Sequence, residues 1–189
     1  MKVFFTSSFS GKKNYQKNYD TIIESIRSND AEVISLEAQS YSDLLNEEFI
    51  NNHPHNIVHY TYIQQGIQQA DAVIIEISYD SFQMGHEATL ALVYDKPLLC
   101  VSCNKDYSTT ITHPKFQAVH YQNLDELKDL VNEFIIEVKN KTPKRFTMLL
   151  PEDVMNLLDK YHKKTGVPRS EYIRNLIRKD LNSWSNPTE

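Results

Sequence analysis

The run "DAVIIEIS" at 71–78 sets the strongest limit on what this chain can fold into. Ala72 to Ile75 are apolar without alternation, so this strand must be covered on both faces. A helical pattern, "IVHYTYIQQGIQQA", precedes it, and another, "MGHEATLALVYD", follows. The same alternation runs through the first 140 residues. "KVFFTSS" and "AEVISLE" read as strands on either side of a helix in "YQKNYDTIIESIRSND", where Tyr19, Ile22, Ile23 and Ile26 share one face. "KPLLCVSC" and "FQAVHY" are further strands, and "NLDELKDLVNEFIIEVKN" is a long amphipathic helix. Between 38 and 55 the chain is polar and loop-like, with a short helix around "YSDLLNEEF". Strands separated by helices predict a doubly wound, mainly parallel five-stranded α/β sheet of Rossmann or flavodoxin type. In such sheets ligands bind at the carboxyl ends of the strands. Thr6, Ser7, Ser8, Ser10 and Gly11 lie at that end after the first strand, and Ser78 to Gly85 after the third.

The last forty residues follow a different pattern. Formal net charge over the chain is −5, but residues 1–140 carry 10 Lys/Arg against 19 Asp/Glu, and 141–182 carry 10 against 5. An acidic body with a basic appendage predicts a nucleic-acid partner for the appendage. "KRFTMLL" alternates Phe146, Met148 and Leu150 with Arg145, Thr147 and Leu149, as a half-buried strand does. Pro151 suits the first position of a helix, Glu152 and Asp153 its positive end, and Gly166 its close. Val154, Leu157, Leu158 and Tyr161 line one face of that helix. Ser170 suits the N-cap of a second, with Ile173, Leu176, Ile177 and Leu181 on one side. A strand and two short helices cannot bury these faces alone, which predicts a second copy.

This module, placed at 145–183, resembles over 144–182 the ribbon-helix-helix repressors such as Arc and MetJ. The resemblance implies a two-chain antiparallel ribbon in the DNA major groove. By position, Arg145 and Thr147 would meet base edges, while Lys144 and the amides near Ser170 would hold phosphates. Leu149 departs from the polar residue usual at the third outward place. Pure dimerisation without DNA stays open beside this reading. "KNKTPK" supplies a linker at 140–144, and 184–189 form a disordered tail.

The N-terminal domain, 1–139, resembles over residues 1–138 the nucleoside 2-deoxyribosyltransferases and their nucleotide N-glycosidase relatives. "KVFFTSSFSG" looks like the family's first strand and its sugar and phosphate loop. "IQQADAVIIEIS" looks like its "AD" strand, and "SFQMGHEATLALVYDKPLLC" like its nucleophile stretch "S-x-G-x-G-x-E-x-G-x-A…KP". The match puts Glu87 at the nucleophilic carboxylate, with Phe4, Thr6, Ser7, Ser8, Ser10, Gly11, Ser78, Gly85 and His86 around the ligand. Gly85 would permit close ligand approach, and the helix N-terminus would help keep Glu87 ionised.

The pattern also has departures. Ile63 stands where the family has a second acid, counted back from Asp71, and Phe4 where many members have tyrosine. Gln83 and Thr89 replace two glycines, and Tyr60, Tyr62, Asp80 and His86 are candidate substitutes for the lost partners. Three roles for Glu87 therefore stand side by side: a carboxylate bonded to loop amides, a ligand anchor without turnover, and a nucleophile.

The expected function is a DNA-binding regulator whose N-terminal domain takes a nucleoside, nucleotide or related small ligand. The alternative is an active deoxyribosyltransferase or N-glycosidase whose tail dimerises it or brings it to DNA. A toxin–antitoxin component is compatible with the tail but has no residue behind it. No cofactor and no metal are expected: Cys100 and Cys103 lie in a strand, and His53, His55 and His59 enter a helix from a polar loop. No apolar run nears the roughly 20 residues that cross a bilayer, so the chain is expected in the cytoplasm, as a homodimer or tetramer.

Overall fold

The computed structural model describes residues 1–141 and 148–185. The chain divides into two compact units, Met1–Pro143 and Lys144–Glu189.

In the first unit five strands form one sheet: β1 (Lys2–Ser7), β2 (Glu32–Ile34), β3 (Ala72–Glu76), β4 (Leu98–Ser102) and β5 (Phe116–His120). Their order is β2-β1-β3-β4-β5 and every neighbouring pair is parallel. Two helices, α1 (Lys12–Ser28) and α5 (Leu124–Lys141), cover one face. The other face takes α3 (His55–Gln69) and α4 (Phe82–Val93), with residues of the short α2 (Glu47–Asn52) packed at its margin. Strand β3 is buried throughout, because alternate residues feed both layers: Ala72 and Ile74 pack with Ile22 and Val131, Val73 and Ile75 with Tyr62 and Ala88. Asp71 ties the start of the sheet together, since its carboxylate accepts the Lys2 amide at 2.7 Å and its own amide donates to the Lys2 carbonyl at 2.8 Å.

The polar stretch after β2 holds a 3-10 turn at Tyr41–Asp43 before α2, so its helical part begins later than "YSDLLNEEF" predicts. Asn46 sets the start of α2 by accepting from the Phe49 amide at 2.7 Å. The linker is shorter than expected at its near side: α5 continues through Lys141, and 142–144 lie outside the described residues.

The second unit contains α6 (Glu152–Thr165) and α7 (Arg169–Ser185). Gly166 ends α6 in the left-handed region, φ 73°, with its amide on the His162 carbonyl at 2.8 Å. Pro151 is the N-cap residue of α6 rather than its first helical residue. Ser170 is likewise not an N-cap: α7 starts at Arg169, and the Pro168 carbonyl accepts from Glu171 and Tyr172 at 3.0 Å each. Helix α7 runs two residues past the expected end of the module, and 186–189 lie outside the described residues. Of the predicted strand at 144–150, residues 144–147 lie outside the described residues and 148–150 take no regular structure. A ribbon strand completes its hydrogen bonds on a second chain.

Candidate functional site

The sheet grows in opposite directions on either side of the β1–β3 pair, which leaves a crevice at the carboxyl ends of those strands. A cavity of about 950 Å³ opens there. Residues 4–10 and Lys12 wall it from the end of β1 and the segment after it, Ser35 to Glu37 and Gln39 from the stretch after β2, and Ser81 to Met84 from the start of α4. His55, His59 and Ile63 of α3 close the far side with Tyr41. Phe9 and Phe82 stand at its rim, 82% and 94% exposed. Two flat apolar rings open to solvent, beside a mostly apolar cleft that also carries the hydroxyls of Thr6, Ser7, Ser8 and Ser10, suit a ligand with one aromatic and one hydrophilic end. Lys12 pairs with Glu37 at 3.0 Å and lies over the Phe9 ring at 5.1 Å.

Glu87 is wholly buried on the second turn of α4. It is not part of the cavity wall; Gln83, which is, donates to its Oε1 at 2.8 Å. The Thr6 hydroxyl, also in the wall, lies close enough to favour the ionised form. Oε2 nevertheless has no aligned hydrogen-bond partner among the described residues. Burial pushes the Glu87 carboxyl above the usual carboxylate range, and Gln83 and Thr6 pull only partly against it. The expectation that the helix N-terminus keeps Glu87 ionised is corrected here. Ser81 caps α4 by accepting from the Met84 amide at 3.4 Å, so Glu87 lies beyond the first turn, where the dipole has faded.

The remaining candidates divide. Phe4, Thr6, Ser7, Ser8 and Ser10 line the cavity, whereas Gly11, Ser78, Gly85 and His86 do not. A Cβ on Gly11 would meet the Tyr19 hydroxyl at 2.5 Å and Tyr79 Cβ at 2.9 Å, so this glycine lets the loop pack down. A Cβ on Gly85 would meet nothing within 4 Å. None of the four candidate substitutes lines the cavity. Tyr60 stacks on His86 at 5.9 Å, Asp80 accepts from Tyr107 at 2.8 Å, and the Tyr62 hydroxyl is buried without a partner among the described residues.

In their place the fold assembles a group that was not anticipated. Gln83 Nε2 lies 2.8 Å from His59 Nε2, His59 Nδ1 3.0 Å from the Tyr41 hydroxyl, and that hydroxyl 3.3 Å from His55 Nε2. The signal was the one-turn spacing of His55 and His59, and of Gln83 and Glu87, each of which puts the pair on one helix face.

A second buried acid, Glu76, ends β3 and also went unmarked. Its Oε1 accepts from Tyr121 at 2.8 Å and from Ser78, and Ser78 Oγ in turn accepts from the Cys103 amide at 2.8 Å. Glu76 shares the parity of Ile74 and faces the α1/α5 layer, opposite Glu87. Burial raises its carboxyl, against those donors. Cys100 is buried in β4, where burial pushes its thiol up to about 12. Among the described residues no group of three His, Cys, Asp or Glu could hold a metal.

In the second unit, Lys144, Arg145 and Thr147 lie outside the described residues. Leu149 is 98% exposed, and Leu157, Leu176 and Ile177 are exposed along α6 and α7. Ser170 lies beside His162, Pro168 and Arg169 in a shallow hollow, and Arg169 pairs with Asp159 at 2.5 Å.

Comparison with known proteins fits both halves. The CMP N-glycosidase BcmB of Clostridium botulinum superposes with a TM-score of 0.51 at 14% identity, over 70% of this chain and 99% of that one. The N-terminal unit shares its fold. A 2-deoxyribosyltransferase from the psychrotolerant bacterium Bacillus psychrosaccharolyticus gives 0.49 at 14% identity, over 68% of this chain and 91% of that one. The ribbon-helix-helix domain family matches residues 142–177. No curated protein matches the chain by sequence. Among the described residues no helix is long and apolar enough to cross a membrane.

Proposed function

We propose that this chain is a DNA-binding transcriptional regulator whose N-terminal unit holds a nucleoside, nucleotide or related small ligand in the β1–β3 cavity. The observation that carries the reading is the joint presence of that cavity and of a ribbon-helix-helix match in one chain. Thr6, Ser7, Ser8 and Ser10 offer hydroxyls to the sugar and phosphate end, and Phe9 and Phe82 offer rings to the base. The paired modules of a homodimer or tetramer would grip the major groove through Arg145 and Thr147, with Lys144 and the amides near Ser170 on phosphates. This reading puts the protein in the cytoplasm. Ligand alters DNA affinity only if it binds one arrangement of the paired modules better than the other.

A second reading, turnover, is favoured by one feature: the free Glu87 Oε2. In that scheme Oε2 attacks the anomeric carbon as the C–N bond breaks. The electron pair leaves with the base, which takes a proton from solvent; water or another base then attacks the anomeric carbon, gives its proton to solvent, and frees the sugar with the Glu87 carboxylate restored. Regulation ranks first because Glu87 is not exposed to the cavity and its Oε1 is engaged by Gln83.

The two readings part on a single assay. The protein is incubated with deoxynucleosides and nucleoside 5′-monophosphates, and free base is measured with Glu87→Ala alongside. Ligand binding without base release is the expected result. Base release by the wild type and not by the variant would replace the regulator reading with the enzymatic one.

A further inference from the structure

Among the described residues Glu87 has no cationic partner, and its one well-aligned donor is Gln83 Nε2. That same nitrogen lies 2.8 Å from His59 Nε2. An amide nitrogen only donates, so its two hydrogens are both used, and His59 Nε2 must accept. His59 is then the neutral Nδ1–H tautomer, donating to the Tyr41 hydroxyl, which itself donates toward His55 Nε2 at 3.3 Å. One consistent set of donors therefore runs from Glu87 to the rim of the cavity.

Protonated His59 breaks the set. Its Nε2–H would face the amide hydrogen aimed at it, and the repair is a half-turn of Gln83 that presents Oε1 instead. Oε1 then also faces Glu87, and two acceptors meet unless the carboxyl gains a proton.

We propose that His59 is a positioning residue for Glu87, acting through the Gln83 amide: neutral His59 holds the amide nitrogen on the carboxylate, and protonated His59 turns it away. His59 and Glu87 therefore gain and lose their protons together. The functional meaning rests on the reading of Glu87 as the acid of the ligand site. Few other groups bear on the pair. His55 comes from α3, Tyr41 from the turn before α2, and Tyr62, with Asp43 near it, from behind; β1 contributes only the Thr6 hydroxyl. Burial and the neighbouring His55 both hold the His59 imidazolium below the usual histidine range, which keeps the neutral form at physiological pH.

The test is nuclear magnetic resonance on the full-length protein without ligand. Long-range proton–nitrogen correlations give the His59 tautomer, and carboxyl carbon shifts follow Glu87. Expected are Nδ1–H for His59, an upward shift of the Glu87 midpoint in His59→Phe, and its return in His59→Asn, whose amide oxygen can again accept. Gln83→Leu should leave His59 titrating alike with or without Glu87→Gln. An Nε2–H tautomer in the wild type, or a Glu87 midpoint unmoved by His59→Phe, would overturn the proposal. The wild-type tautomer decides even where a variant misfolds. Because no ligand is used, a protein that binds no nucleotide yet shows coupled titration would sink the ligand reading and leave this one intact.

Discussion

At the scale of single residues, an enclosed carboxylate with one oxygen unpartnered costs the folded chain stability whenever it is ionised. The folded carboxyl of Glu87 sits above its unfolded value, so the native chain binds a proton more readily than the unfolded one. The penalty is therefore full above the folded value and fades as pH falls through it toward the unfolded one. Glu87→Gln should raise the melting temperature at pH values where the wild-type carboxyl is ionised, by about 1–3 kcal/mol of stability, with the gain shrinking on acidification. Thermal melts of both proteins across pH would check it, and a gain constant with pH would contradict the sign. Glu87 could be read from sequence because a lone acid in an apolar helix is conspicuous. His59 could not, because its partners come from a turn and from another helix, Tyr41 and Gln83. Tyr60 and His86 looked available for the same reason in reverse. Their spacing says nothing of the fact that they stack together outside the cavity.

At the scale of elements, glycines separate packing from function. A Cβ on Gly66 in α3 would meet the Phe4 ring at 2.6 Å, and one on Gly11 would meet Tyr79 Cβ. Either change to alanine should destabilise by about 1–3 kcal/mol, read by denaturant titration. Gly85→Ala should stabilise by about 0.5–1 kcal/mol, because the site is open and helical. If it also weakens ligand binding measured by calorimetry, the ligand must reach that turn. All five strands could be read from sequence, the central ones from apolar runs that only a sheet covered on both faces can bury. Boundaries were less secure. Helix α7 begins before Ser170 because the Pro168 carbonyl, not a side chain, receives the first-turn amides. The 3-10 turn at Tyr41 depends on Ser40 and Asp43 bonding each other's backbone, a local device that apolar periodicity does not register.

Over the whole molecule, charge and apolar exposure concentrate in the C-terminal unit. DNA binding should weaken steeply as salt rises, and Arg145→Ala should cost about 1–3 kcal/mol on a specific site. Binding measured at two salt concentrations, with no response to either change, would leave the module as a dimerisation device. Ile177→Glu, placed on an exposed apolar face, should reduce the assembly seen by analytical ultracentrifugation. The sheet of the first unit also works as a septum. Glu76 and Glu87 are both enclosed, yet they open on opposite sides of it. Moving Glu76 to the side of the crevice would need a one-residue slip of β3, which would exchange Ala72 and Ile74 with Val73 and Ile75 between the two layers and repack both. A lineage that lost Glu87 could not recruit its neighbour as a replacement; it would have to evolve a new acid from the α3 or α4 wall.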